Sequence, residues 1–308
     1  VKETMTRPTD HPAGHQETHQ PKIAAILDIE QLDRYIFRGP VIPTTFTRTF
    51  GGQVAAQALA AAIRTTTADR SVHSLHAYFV RPGDATTPVI FQIDPIKEGG
   101  SFTSRHVTAI QDGIPIFSMQ CSFHRRADTG IEHSDDMRAV PNPDDIPPTD
   151  TAALPPSSRA LLAEWTDWEI RRVPADRYDH NPYTNSQQLV WFKTKNRLPD
   201  DETTHLCTLT YMSDMTLLHT ALVPHPNHPV QLASLDHAIW FLRPFRADEW
   251  LLYDQISPSA HAGRALTHGR VFNQAGDLVA SVTQEGLTRD LRTGQQSVPL
   301  KNLAPGQQ

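Results

Sequence analysis

Ser74-Leu-His-Ala-Tyr-Phe-Val-Arg81-Pro82 in the first half of the chain is answered by Leu235-Asp-His-Ala-Ile-Trp-Phe-Leu-Arg243-Pro244 in the second. A strand-rich stretch follows each, and then a matching turn and strand. These read Gln111-Asp-Gly113-Ile-Pro-Ile-Phe-Ser-Met-Gln-Cys121 and Gln274-Ala-Gly276-Asp-Leu-Val-Ala-Ser-Val-Thr-Gln284. The Arg-Pro pairs lie 162 residues apart and the later glycines 163. Solenoid repeats are far shorter. The spacing therefore implies one fold used twice, and differences between the copies become informative.

Working outward, Gly51-Gly52 opens Gln53-Val-Ala-Ala-Gln-Ala-Leu-Ala-Ala-Ala-Ile-Arg64, a run of good helix formers with apolar residues on every side. That pattern predicts a buried helix. Phe117, Met119, Cys121 and Phe123 alternate with Ser118, Gln120, Ser122 and His124, the period of a half-buried strand. Asp112-Gly113 before them is a hairpin turn. Ile23 to Tyr35 is read as a short helix and Ala160 to Arg172 as a connecting helix. Leu189–Thr194 and Leu206–Tyr211 lead into the second half. Asp214 to Leu222 is read as its helix, with Ser213 or Asp214 as N-cap and Pro224 as the stop. These patterns give an α+β class. The expected organisation is a flexible tail at 1–22, a first domain at 23–124, a linker with a connecting helix at 125–185, a second domain at 186–292 and a tail at 293–308.

Composition narrows the function. The 308 residues suffice for two domains, and 28 basic against 34 acidic residues give a net charge of −6. No basic block is present, which argues against nucleic acid as a partner. No apolar run reaches the roughly 20 residues that span a bilayer. Residues 1–22 lack the apolar core of a secretory signal, and Ala304-Pro-Gly-Gln-Gln308 is not a peroxisomal address. Cys121 and Cys207 have neither metal-ligand nor disulfide-framework spacing. A reduced, cytoplasmic setting is expected. Prolines 224, 226 and 229 break up His219, His225 and His228, so no metal is expected.

Several motifs resemble type II acyl-CoA thioesterases. Phe37-Arg-Gly39, Phe50-Gly-Gly-Gln-Val54, Val72-His-Ser-Leu-His76, Tyr78-Phe-Val-Arg-Pro-Gly83 and Gly100-Ser-Phe102 resemble the family's N-terminal half. Ser234-Leu-Asp-His237, Trp240-Phe-Leu-Arg-Pro-Phe245, Glu249-Trp-Leu-Leu-Tyr253, Gly269-Arg270 and Gln284-Glu-Gly286 resemble its C-terminal half. The likeness runs from about Ile23 to Asp290, omitting the linker. It implies a double hot-dog, two antiparallel sheets each wrapped around a central helix and joined edge to edge. It also implies hydrolysis of medium- to long-chain acyl-CoA to fatty acid and CoA, without cofactor, in a homodimer or homotetramer.

The resemblance places an Asp, a Thr or Ser, and a Gln around a water, which here fall on Asp214, Ser234 and Gln284. Each has an ordinary alternative. An Asp at a helix start is commonly an N-cap, and a Ser before a strand commonly caps a turn. Gln284 continues the apolar face of Leu278, Ala280 and Val282. Burying an unpartnered amide there costs about 1–3 kcal/mol, so its retention points to a task. By the repeat offsets, Gly52, Val72 and Cys121 stand in the first half where Asp214, Ser234 and Gln284 stand in the second. One centre per chain is expected. His73 is a secondary candidate, though a lone strand His is more commonly structural. No Gly-x-Ser-x-Gly elbow occurs, so a serine nucleophile is not indicated. Two rivals remain: an enoyl-CoA hydratase-like enzyme built on Asp236-His237, whose side chains a strand sends to opposite faces, and an acyl-CoA-binding protein without turnover.

Overall fold

The computed structural model describes residues 22–126, 128–154, 156–297 and 300–301. Most of both expected tails lies outside them. In the first half, helix α1 (Lys22–Leu27) and strands β1 (Glu30–Asp33) and β2 (Ile36–Gly39) precede helix α2 (Gly51–Ile63). Strands β3 (Arg70–Phe79), β4 (Val89–Glu98), β5 (Phe102–Gln111) and β6 (Ile114–Arg125) follow. The connection holds helix α3 (Pro156–Ala163) and strand β7 (Trp168–Arg172). The second half runs β8 (Gln187–Thr194), α4 (Glu202–Ser213), β9 (Val230–Ser234), β10 (Asp236–Phe241), β11 (Leu251–His261), β12 (Arg264–Asn273) and β13 (Leu278–Asp290).

Among the described residues these strands form one antiparallel sheet, ordered β1-β2-β4-β5-β6-β3-β10-β13-β12-β11-β8-β7, with β9 also on β13. The order is palindromic about the β3–β10 junction, where Asp236 faces Tyr78 and Trp240 faces Ser74. The first half of the sheet wraps α2, α2 packs against α4, and the 218–222 segment after α4 lies on β8, β11, β12 and β13. One hydrophobic core runs through both halves, including Phe37, Phe91 and Leu59 from the first and Leu209, Met212 and Tyr253 from the second. This is the double hot-dog.

The repeat holds for strands and fails for helices. Strands β5 and β12 begin 162 residues apart, whereas the ends of α2 and α4 are 150 apart. The second-half helix is therefore 202–213, not 214–222, and the latter segment holds only a single-turn helix at Leu218–Leu222. The helix Glu202-Thr-Thr-His-Leu-Cys-Thr-Leu-Thr-Tyr-Met-Ser213 is rich in threonine, a poor helix former. It forms because Asp201 caps it, accepting from Thr204 N at 2.8 Å. The buried Thr208 and Thr210 hydroxyls bond back to the carbonyls of Thr204 and Leu206.

Other boundaries differ too. Ile23–Tyr35 is helical only to Leu27, and Ala160–Arg172 is a helix to Ala163 and then a strand. Trp168 and Ile170, with the branched and aromatic character of a strand, pair with Thr194 and Phe192 on β8. Lys22 is anchored, its Nζ reaching Glu164 at 3.2 Å. Leu300, placed in the expected tail, is buried and bridges Phe46. The linker is pinned across β11 and β12: Arg138 Nε donates to Asp254 at 2.9 Å and Arg270 Nη2 donates to the same carboxylate at 2.7 Å.

Candidate functional site

Helix α2 begins without its own cap. Phe50 at the N-cap offers no side-chain acceptor, and the first turn holds no acidic residue. Its leading N–H groups therefore need partners from elsewhere. Asp214 lies against them, and the Gly52 N–H favours its carboxylate form. Asp214 is not the N-cap of its own helix but the C-cap of α4. A carboxylate there faces the negative end of its helix dipole. The positive end of α2, pointing at it from the other half, offsets that.

Gly51-Gly52 makes the approach possible. A Cβ on Gly51 would lie 2.7 Å from Asp214 Oδ2, and one on Gly52 2.5 Å from the Tyr211 carbonyl oxygen. No side chain fits between the two helix ends.

Two strands complete the cluster. Ser234, the last residue of β9, donates from Oγ to Asp214 Oδ1 at 3.0 Å. Gln284 on β13 is fully buried. Its Nε2 donates to Asp214 Oδ1 at 2.6 Å and to Ser234 Oγ at 2.8 Å. Gln284 Oε1 has no partner among the described residues. Opposite Ser234 stands Gly286, where a Cβ would fall 2.4 Å from Leu218. The glycine of Gln284-Glu-Gly286 thus lets the 218–222 turn pack against the strand.

Burial pushes the Asp214 carboxyl up to about 6, against the lowering effect of the bonds from Gln284, Ser234 and Gly52. The group is ionised at neutral pH and basic enough to take a proton. Behind it, Tyr253 OH donates to the Ser213 carbonyl at 3.1 Å, and Ser213 Oγ meets His237 Nε2 at 2.8 Å. Burial holds the His237 imidazole down at about 4, hence neutral. Asp236 points the other way, accepting from Glu285 N at 2.7 Å. The adjacent Asp-His pair does not form one site.

Asp214 and Ser234 line a cavity of about 410 Å³. Its walls are largely apolar, with Phe46, Phe50, Phe79, Phe117, Trp165 and Met215. His219 also lines it, its imidazole held down at about 4, first by burial and then by Arg172. The structure thus gathers Asp214, Ser234 and Gln284. It leaves His73 out: that ring sits at a bulge in β3, bonded to Ser122 Oγ at 2.8 Å and packed on Phe102 and His124, and is not part of the cavity lining. From sequence, the N–H groups at the Gly51-Gly52 helix start can bind an anion, but close packing is the simpler reading; that the anion is Asp214 is shown only by the structure.

The chain matches two family models, described as acyl-CoA thioesterase over residues 163–287 and as acyl-CoA thioesterase N-terminal domain over residues 42–124. It is 36% identical over 282 residues to acyl-coenzyme A thioesterase 8 of Homo sapiens, covering 87% of this chain and 88% of the relative. It is 37% identical over 278 residues to acyl-CoA thioesterase 2 of Haemophilus influenzae, covering 86% of this chain and 96% of the relative. Among solved structures, an acyl-CoA thioesterase II from Mycobacterium marinum superposes with a TM-score of 0.79 at 50% identity, over 87% of this chain and 98% of the other.

Proposed function

The chain belongs to the acyl-CoA thioesterase family, and from that premise we propose that it hydrolyses medium- to long-chain acyl-CoA at the cluster of Asp214, Ser234 and Gln284. The carrying observation is that two polar side chains, Ser234 of β9 and Gln284 of β13, converge on the carboxylate of Asp214, the C-cap of α4, where Asp214 and Ser234 line an apolar cavity. Asp214 Oδ1 is occupied by two donors, which fix the carboxylate. Oδ2, which faces the Gly51-Gly52 helix start, keeps a lone pair to accept from a water. That water gives its proton to Oδ2 as its oxygen bonds to the thioester carbonyl carbon. The tetrahedral adduct then collapses, the C–S bond breaks, and the CoA sulfur leaves as thiolate to be protonated. General-base assistance of this kind contributes about 10²–10⁴ in rate. Ser234 Oγ, which lines the cavity with Asp214, orients the water, and Gln284 Nε2 holds the Asp214 carboxylate and the Ser234 hydroxyl in place. The apolar wall suits the acyl chain. No cofactor and no covalent intermediate are needed.

The same reading extends to a homodimer or homotetramer in the cytoplasm. Cys121 and Cys207 fit a reducing setting, both being free, buried thiols. Thiol release from palmitoyl-CoA, followed beside hydration of crotonyl-CoA, tests the activity. Thiol release without hydration is expected. Tight palmitoyl-CoA binding with no thiol release would overturn the reading in favour of a binding protein. Light scattering on the purified chain tests the assembly.

A further inference from the structure

The cavity that holds Asp214 also carries two cations. Arg48 and Arg81 are the cationic side chains of its lining, on the side where it meets residues 48–49 and 80–83. The backbone brings them together: Arg48 bridges Asp84, and Thr49 N bonds to Gly83 O at 2.9 Å. Neither guanidinium is in an ion pair among the described residues. Arg81 is exposed and gives one N–H to the Pro115 carbonyl at 2.8 Å. The nearby Asp84 carboxylate is turned to its own loop, accepting from Thr86 N and Oγ1 at 2.7 Å each. The chain as a whole carries −6. A polyanionic substrate is repelled by that net charge unless positive charge is placed where it enters.

We infer that Arg48 and Arg81 form the phosphate-recognition site for the nucleotide end of CoA, so that they set the preference for CoA over phosphate-free thioesters. The inference rests on the proposed acyl-CoA hydrolysis and fixes the direction of the substrate: acyl chain against Phe50, Trp165 and Met215, thioester at Asp214, nucleotide diphosphate at the arginine mouth. Guanidinium groups suit this task because their planar donors match phosphate oxygens in pairs.

The test compares palmitoyl-CoA with S-palmitoyl-pantetheine, which has the same thioester and no phosphate, in the wild type and in Arg48→Gln, Arg81→Gln and the double variant. Wild type is expected to favour the CoA ester in kcat/KM by roughly 100-fold, two charge-assisted contacts at about tenfold each. Each single substitution is expected to remove about tenfold of that preference through KM, and the double variant to abolish it. Adenosine 3′,5′-bisphosphate is expected to inhibit wild type competitively and the double variant far less. If the substitutions slow both substrates alike, or leave the CoA preference intact, the arginines do not read phosphate. If wild type releases thiol from neither ester, the hydrolytic reading fails first, and that result is distinct.

Discussion

The two central helices end in opposite charges. Helix α2 finishes at Arg64, whose guanidinium bonds to the Ile29 carbonyl at 2.7 Å. The next turn is held by Arg105, fully buried, which donates to Thr65 O at 2.8 Å and Thr65 Oγ1 at 2.9 Å. Cations there complement the helix dipole. Helix α4 finishes at Asp214, an anion at the same pole. The strand register completes the contrast. Arg105 pairs with Cys121 on β5–β6, and Thr267 pairs with Gln284 at the corresponding place on β12–β13. One end of the duplicated scaffold is built for stability. The other keeps a carboxylate in a position that disfavours its charge, which suits a base and costs stability.

The largest expected effect comes from neutralising the ill-placed charge. Asp214→Asn should lower kcat for palmitoyl-CoA by about 10²–10⁴. It should also stabilise the fold at pH 8, on the order of 1 kcal/mol. The sign follows from the raised pKa. The folded carboxyl titrates near 6 against about 3.9 unfolded, so the folded state holds its proton longer and stability is lost as pH rises through that window. Denaturant titration of both proteins at pH 8 reads this, and a less stable variant would break the comparison.

The first-half counterpart should behave in reverse. Arg105→Thr installs the residue that the second half has at this place. It should cost roughly 2–4 kcal/mol by leaving Thr65 O unpaired and a void behind it. The kcat of the folded protein should stay within about twofold. A rate loss rivalling that of Asp214→Asn would mean that both ends take part in catalysis.

The smallest effect sharpens the electrostatics. The acid limb of kcat/KM should fall near pH 6, because the base must be ionised. Ser234→Ala removes a donor that favours the anion, so the limb should move to higher pH, by roughly half a unit to one unit. A limb that stays in place or moves down would separate Ser234 from the carboxylate's titration.

Much of this was legible in the chain. The Arg-Pro and Asp-Gly/Ala-Gly repeats mark the duplicated strands because alternation and turn chemistry are local. Gln284 stood out as an amide on an apolar face. The helix was not legible: threonines with buried hydroxyls bonded to their own carbonyls hide it from propensity. The hidden helix makes Asp214 read as an N-cap when it is a C-cap, and the 162-residue offset of the strands, which the helices do not share, aligns it with Gly52. The two are not equivalents but contacts, brought together across the halves by the packing of α2 against α4. Tertiary proximity of this kind leaves no period in a sequence.

The pair Gln284→Ala and Cys121→Ala, assayed side by side for thiol release from palmitoyl-CoA, tests the asymmetry most directly. These residues hold the same strand position in the two halves. The expected outcome is a loss of about 100-fold or more for Gln284→Ala, with Cys121→Ala within about twofold of wild type. Equal rates for the two variants, whether both slow or both fast, would contradict a single working centre in the second half.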